Sequence, residues 1–254
     1  MSQTFAMARA LPTVELPSSL EAVLRRGHPW IYRNHVPANF RAAPGWVRVK
    51  AGDRWVADSR RALLLCWYGP GRLPTYCFPA EDVDTSVARQ LEGLPPEVRD
   101  AEGLYTFPWD GSVQWFEEGT EVFVHARDTS KRVDAVQSER HVRVELDGQL
   151  LAESRRPTAL FETGLPTRWY LPAEDVRLDA LEATDFTSRC PYKGTARYWS
   201  APARANVAWT YPDPIPELPQ VKDLVAFFNE HVDLTVDGEL QKRPFTPWSL
   251  SAGG

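Results

Sequence analysis

The chain has 254 residues, of which 43% are hydrophobic and 25% charged, with 22 Pro and 10 Trp; that allows one large domain or two ordinary ones and argues against global disorder. Its 29 Lys and Arg against 34 Asp and Glu leave a net charge of −5, without the basic footprint of a nucleic-acid binder. No apolar run approaches the ~18 residues that cross a bilayer, so neither nucleic acid nor membrane is expected as a partner. Three Cys, at 66, 77 and 190, without any CxxC spacing, argue against a disulfide framework and a zinc site. With no apolar leader at the N-terminus, the expected location is cytoplasmic.

Residues 1–45 read as an N-terminal extension. Within it, Gly27-His28-Pro29-Trp30 resembles a segment of some RNA-modifying enzymes, against which the acidic charge stands. From residue 46 the chain spells one pattern twice. Val47 and Val49 alternate with polar residues up to a Gly52-Asp53 turn, and Val142, Val144 and Leu146 do so up to Asp147-Gly148. Period-two alternation closed by such a turn predicts a hairpin. VADSRR from 56 answers LAESRR from 151, LPT from 73 answers LPT from 165, and PAEDV from 79 answers PAEDV from 172. Val113-Gln-Trp115 likewise answers Val207-Ala-Trp209. A third echo of the opening strand, His231-VDLTVDG after His141-VRVELDG, closes the second copy.

The copies are placed at 46–140 and 141–254. Helical signals are few: Thr85–Gly93 reads as a short helix with Val87 and Leu91 inward, and Asp223–Asn229 as strand or one helical turn. Abundant Pro favours short strands and loops. The predicted fold class is mostly β: two tandem domains of antiparallel sheets with few short helices.

Candidate site residues cluster in the second copy, in the run Cys190-Pro-Tyr192-Lys193-Gly-Thr-Ala-Arg-Tyr198-Trp199, with Trp209-Thr-Tyr211 after it and Arg156, Glu162-Thr163 and Trp169-Tyr170 before it. Cys190 and Lys193 are the candidate catalytic groups. A thiol reacts as thiolate, which a nearby cation favours; the alternative is a small buried residue at a turn. Lys193 suits a carboxylate or phosphate or, if desolvated, a Schiff base; the alternative is a solvated turn lysine. Tyr170, Tyr192, Tyr198, Trp199, Trp209 and Tyr211 are candidate ligand contacts that would wall an apolar pocket with polar tips, although aromatics also build cores. If they share one strand, Tyr198 and Trp199 face opposite sides, whereas Trp209 and Tyr211 share a face. Arg156, another candidate contact, has a fork suited to an anion; the alternative is an ion pair with Glu153 or Asp175.

The CPYKGxAxYW block, the WxY pair and the opening strand–DG–strand pattern ending in Arg155-Arg156-Pro157 resemble the domain of unknown function 427 family, sometimes filed under a nucleotidyltransferase-like label. The resemblance covers essentially all of the second copy. It implies a β-tent: two antiparallel sheets meeting at an angle, with a pocket between them. Several β-tents hold zinc on two CxxC pairs, which this chain lacks. The family has no settled reaction, so the resemblance implies a fold and a site only.

The first copy resembles a degenerate member. It lacks the CPYKG run, its matching stretch falls near Asp100–Tyr105, Glu117 replaces Tyr211, and Trp115 remains. The working pocket is therefore expected in the second copy alone. The leading expectation is a small-molecule enzyme of unsettled reaction. A non-catalytic small-ligand module is the alternative, with nucleotidyl transfer weaker, since no glycine-rich phosphate loop or paired metal carboxylates accompany the motif. No cofactor and no metal are expected. The residues leave the oligomeric state and the presence of catalysis open.

Overall fold

The computed structural model describes residues 38–43, 45–68 and 72–250, so the Gly27–Trp30 segment lies outside the described residues. The first half holds β1 (Asn39–Ala42), β2 (Val47–Ala51), β3 (Arg54–Ser59), β4 (Leu63–Cys66), β5 (Thr75–Cys77), β6 (Arg89–Gln90), β7 (Tyr105–Thr106), β8 (Gln114–Glu117) and β9 (Thr120–Val122). The second holds β10 (Val133–Gln137), β11 (Val142–Leu146), β12 (Gln149–Ser154), β13 (Thr158–Glu162), β14 (Arg168–Leu171), β15 (Glu182–Cys190), β16 (Gly194–Ala201), β17 (Arg204–Thr210), β18 (Val225–Phe227), β19 (Asp233–Val236) and β20 (Glu239–Leu240). Every pairing between these strands is antiparallel. The only helices among the described residues are short 3-10 turns, so the protein is mostly β. Thr85–Gly93 is a turn running into β6 rather than a helix, and Asp223–Asn229 contains strand β18.

Each half has its own four-stranded small sheet, and the two are built alike. In the first, the order is β3-β2-β8-β9; in the second it is β12-β11-β19-β20. The hairpins match residue for residue: Val47 faces Ser59 and Val49 faces Ala57, as Val142 faces Ser154 and Val144 faces Ala152. Both shift register at the next residue. That bulge breaks strict alternation, so Val56 and Ala57 are both buried, as are Leu151 and Ala152.

The SRR and PAEDV blocks meet as a clasp. Ser59 Oγ donates to Asp82 (2.7 Å) and accepts from the Arg61 amide (3.1 Å), while Arg61 pairs with Asp82. Ser154, Asp175 and Arg156 repeat this at 2.7 and 3.1 Å.

The larger sheets differ. The first half has β1-β4-β5; the second has β10-β13-β14-β18-β17-β16-β15. By register Leu65 corresponds to Leu160, Cys77 to Tyr170 and Thr75 to Arg168. Among the described residues, the first half has no counterpart of the long ribbon β15–β17. The face of Leu65 and Cys77 is instead filled by Leu91, Leu94, Val98 and Ala101. Trp115 sits on β8 opposite Val49, the place Leu234 takes opposite Val144. The sequence match of Trp115 to Trp209 therefore does not hold in the strand pairing. Two boundaries also move: β1 pairs with β4, so residues 39–42 are part of the first sheet, and β10 pairs with β13 in the second.

In the second half, Val142, Val144, Leu234 and Val236 of the small sheet pack on Trp169, Leu171, Ala208, Val225 and Phe227 of the large one. The other face of the large sheet carries Leu160, Tyr170, Ala196, Tyr198, Trp209, Tyr211 and Phe228. In the first half, Trp115 stacks on Trp109 (4.3 Å) and Phe78 (5.8 Å). Trp115→Ala is expected to cost about 3–5 kcal/mol, whereas Trp55→Ala, at a side chain 46% exposed, stays within about 0.5 kcal/mol. Urea midpoints at constant m-value separate the two.

Candidate functional site

A cavity of about 340 Å³ opens over the second face of the large sheet. Its floor follows from strand pairing. Tyr198 lies opposite Trp209, Trp209 opposite Ala226, and Ala226 opposite Tyr170. Alternation points these four to one side of the sheet. The small Ala226 between two large rings lets Trp209 Nε1 donate to the Tyr170 hydroxyl at 3.0 Å. Tyr211, two residues beyond Trp209, lies on the same face.

Lys193 is aimed by the turn joining β15 to β16. Gly194 has φ +110°, and a Cβ there would stand 3.0 Å from the Asp213 carbonyl oxygen; only glycine fits both constraints. The Ile215 amide donates to the Lys193 carbonyl at 3.1 Å, pinning the turn from the other side. The Lys193 ammonium donates to Glu162 at 2.6 Å, with side chains only 11% and 8% exposed. Burial opposes the charge on Lys193, but Glu162 first, and then Cys190 and Tyr170, outweigh it and raise its pKa above the ordinary lysine value. Lys193 is therefore an ammonium ion in the free protein, not a neutral amine.

A second buried pair closes the far side. Arg168 donates twice to Glu230, both at 2.6 Å, and Thr246 Oγ1 adds a third bond at 2.6 Å. Its guanidinium sits 5.7 Å from the rings of Trp209 and Phe228. Burial raises the Glu230 carboxyl, yet the Arg168 bonds and charge, with Thr246, outweigh that and hold it below its usual 4.5.

The phenols stay neutral. Burial pushes Tyr170, Tyr192, Tyr198 and Tyr211 upward. Tyr198 shares a 2.6 Å bond with Ser188, and the Tyr192 hydroxyl accepts from the Asp128 amide at 2.6 Å. Tyr211 is 5% exposed and lines the cavity. Cys190 is half-buried on the wall.

Of the residues singled out in the sequence, Cys190, Lys193, Tyr170, Tyr192, Tyr198, Trp209 and Tyr211 line this cavity. Trp199 and Arg156 do not. Trp199 points to the opposite face and packs against the inter-sheet core, as alternation dictates. Arg156 is held in the clasp by Glu174 and Asp175. The cavity is also not built by the second half alone: Tyr68, Leu73, Val124, His125 and Lys131 line it too.

Sequence reading placed Glu162 in the constellation without giving it a role, and did not assign Arg168, Glu230, Phe228 or Trp248 to the site. One signal was present: Arg168 heads the run Arg-Trp-Tyr-Leu, a strand buried at every position, and a cation there requires a buried carboxylate. Among the described residues, no group of three His, Cys, Asp or Glu side chains could hold a metal, and no helix is long and apolar enough to cross a membrane.

Residues 134–238 match a family model described as a domain of unknown function, DUF427. The match begins inside β10 and ends at the β19–β20 turn, so it covers the small sheet except β20, nearly all of the large sheet and the cavity floor of the second half. No curated protein matches the chain.

Lys193→Ala leaves Glu162 buried without its partner and is expected to cost about 3–5 kcal/mol, whereas Lys193→Met with Glu162→Leu is close to neutral; chemical denaturation of the single and double variants decides. Glu230, with its folded pKa lowered, contributes stability that is present above about pH 4.5 and is lost as pH falls through its lowered folded value. Glu230→Gln should therefore flatten the acid limb of a melting-temperature profile and leave the alkaline limb unchanged.

Proposed function

We propose that the chain is a small-molecule-binding protein whose site is the cavity over the large sheet of the second half. The observation that carries this reading is the Lys193–Glu162 ion pair, buried at the wall of an aromatic cavity. A buried pair contributes little net stability relative to apolar residues of the same volume, and a charge pair with a perturbed lysine in a concave apolar site is a functional-site candidate. The cavity volume lies in the usual range for small ligands, about 300–1,000 Å³. Tyr170, Trp209 and Phe228 would take a flat apolar body. Lys193 and the hydroxyl of Tyr211 would donate to a carbonyl or other acceptor group.

The enzyme reading rests on Cys190, a half-buried thiol on the same wall. A Schiff base at Lys193 is disfavoured, because its ammonium is held by Glu162. Nucleotidyl transfer gains no support from this donor set, which offers one carboxylate already engaged with Lys193. The first half is then a diverged copy of the same unit. The support is the shared small sheet, bulge and clasp; its corresponding face is filled by its own side chains, so it serves as scaffold and cavity wall.

A thermal-shift screen of aromatic fragments tests the site. A binder at one hundred times its Kd should stabilise the protein by about 2.7 kcal/mol. Cys190→Phe, which fills the wall, should abolish that shift, and Cys190→Ala should retain it. Retention of the full shift in Cys190→Phe would show that the ligand sits elsewhere. If a hit is turned over and Cys190→Ala stops turnover while keeping the shift, the enzyme reading holds.

A further inference from the structure

The two large sheets leave a hollow at the same place. By register Leu65 and Thr75 correspond to Leu160 and Arg168. Leu160 and Arg168 line the cavity described above; Leu65 and Thr75 line another, of about 670 Å³, in the first half. Thr75 is too short to fill the space that Arg168 takes with Glu230, so the packing of Leu91 and Leu94 over Cys77 stops short of it. The base of this second hollow is apolar: Leu65, Leu94 and Phe107 are buried there, and the rings of Trp67 and Trp109 are half-buried. Both rings are held in place. Arg72 lies over Trp67 at 4.0 Å. Trp109 stacks on Trp115 at 4.3 Å, and its Nε1 donates to Thr75 Oγ1 at 3.0 Å. Arg72, Arg89, Gln90 and Glu92 form an exposed polar rim. Fixed aromatic rings below a few polar groups are the makeup of a small-molecule site.

The two hollows adjoin, because Leu73 and Val124 line both. Val124, just after β9, has φ +73°, a left-handed conformation that a β-branched side chain resists. Backbone strain of this kind persists only where the surrounding structure imposes it, and it clusters at ligand sites. We propose that the second hollow is the other end of the same ligand site, and that the ligand is elongated: two flat apolar groups joined by a spacer that crosses the Leu73–Val124 ridge, one resting on Trp209 and Phe228, the other on Trp67 and Trp109. This inference rests on the cavity of the second half being a ligand site, and it adds the ligand's length and its second contact surface. The first half then contributes a binding surface of its own at the place equivalent to the first cavity. The polar rim admits hydrogen-bonding groups at that end of the ligand.

The test uses neutral probes on the full chain, followed by calorimetry: 2-phenoxyethanol, with one ring, and diphenoxy ethers whose ethylene glycol spacer lengthens stepwise. The best two-ring probe should bind about ten-fold more tightly than the one-ring probe, and affinity should pass through a maximum as the spacer comes to match the span. Gln90→Trp, at an exposed rim position, fills the second hollow and should return the two-ring probes to the one-ring affinity; Leu73→Trp, at a ridge side chain 49% exposed, serves if that variant melts early. Cys190→Phe, which fills the first hollow, should remove the same gain. No gain, a gain that rises steadily with spacer length, or a gain that survives both Gln90→Trp and Leu73→Trp overturns the elongated ligand while the first cavity stands. If no probe binds, or Cys190→Phe changes no affinity, the cavity reading fails and the elongated ligand fails with it.

Discussion

Asp128 is the point on which the two halves are aligned. It is buried, in the segment that passes from the first half to the second. Its carboxylate accepts from Tyr68 (2.7 Å) and from the amide and hydroxyl of Ser130 (2.8 and 2.7 Å), and Arg41 lies 3.5 Å away. Burial disfavours the charge, and the Ser130 bonds, then Tyr68 and Arg41, outweigh it and lower the pKa. The backbone amide of the same residue donates to Tyr192 of the second half. One residue thus couples the first half's wall to the turn that carries Lys193. A few residues either side, Arg127 bridges Glu117 to Glu217, and Arg132 exchanges bonds with Thr163. The joining segment is therefore a fixed wall rather than a tether, which is why Val124, His125 and Lys131 can line a cavity whose floor belongs elsewhere.

The corresponding faces of the two large sheets show how one scaffold can be open or shut. In the first half a cysteine stands where the second has Tyr170, and Leu91, Leu94 and Val98 cover it. In the second half the ribbon β15–β17 widens the sheet, so the apolar face outgrows what the chain covers and a hollow remains. That hollow tolerates two ion pairs because each is complete within itself, Arg168 and Glu230 through two parallel bonds and a hydroxyl.

Much of the fold was legible in the sequence, since period-two alternation, the Asp-Gly turn and the SRR and PAEDV blocks report local geometry directly. The aromatic floor was legible through the same alternation, which also separated Tyr198 from Trp199. Spacing alone could not reveal the partner of Lys193. Glu162 lies 31 residues earlier and is brought close only because β13 and the β15–β16 turn meet across the cavity. The match of Trp115 to Trp209 misled because two similar tripeptides fell at a similar offset on unrelated strands. The lining from the first half was hidden for a different reason: nothing in the spacing of similar sequence blocks says which half leans on the other.

The small sheets carry a consequence of another kind. In each, the opening strand of the small sheet lies against a strand from near the end of the same half: the Glu118 amide reaches the Trp46 carbonyl at 2.8 Å, and the Asp237 amide reaches the His141 carbonyl at 2.8 Å. The opening strand of each small sheet and the late strand paired with it therefore lie side by side. A chain with this property can be cut and rejoined, inserted into a loop of another protein, or followed by a further unit through a short connection, with little disturbance to its interior. Circular permutants opened at the Gly148 or Gly238 turns are the form in which that modularity would be put to use.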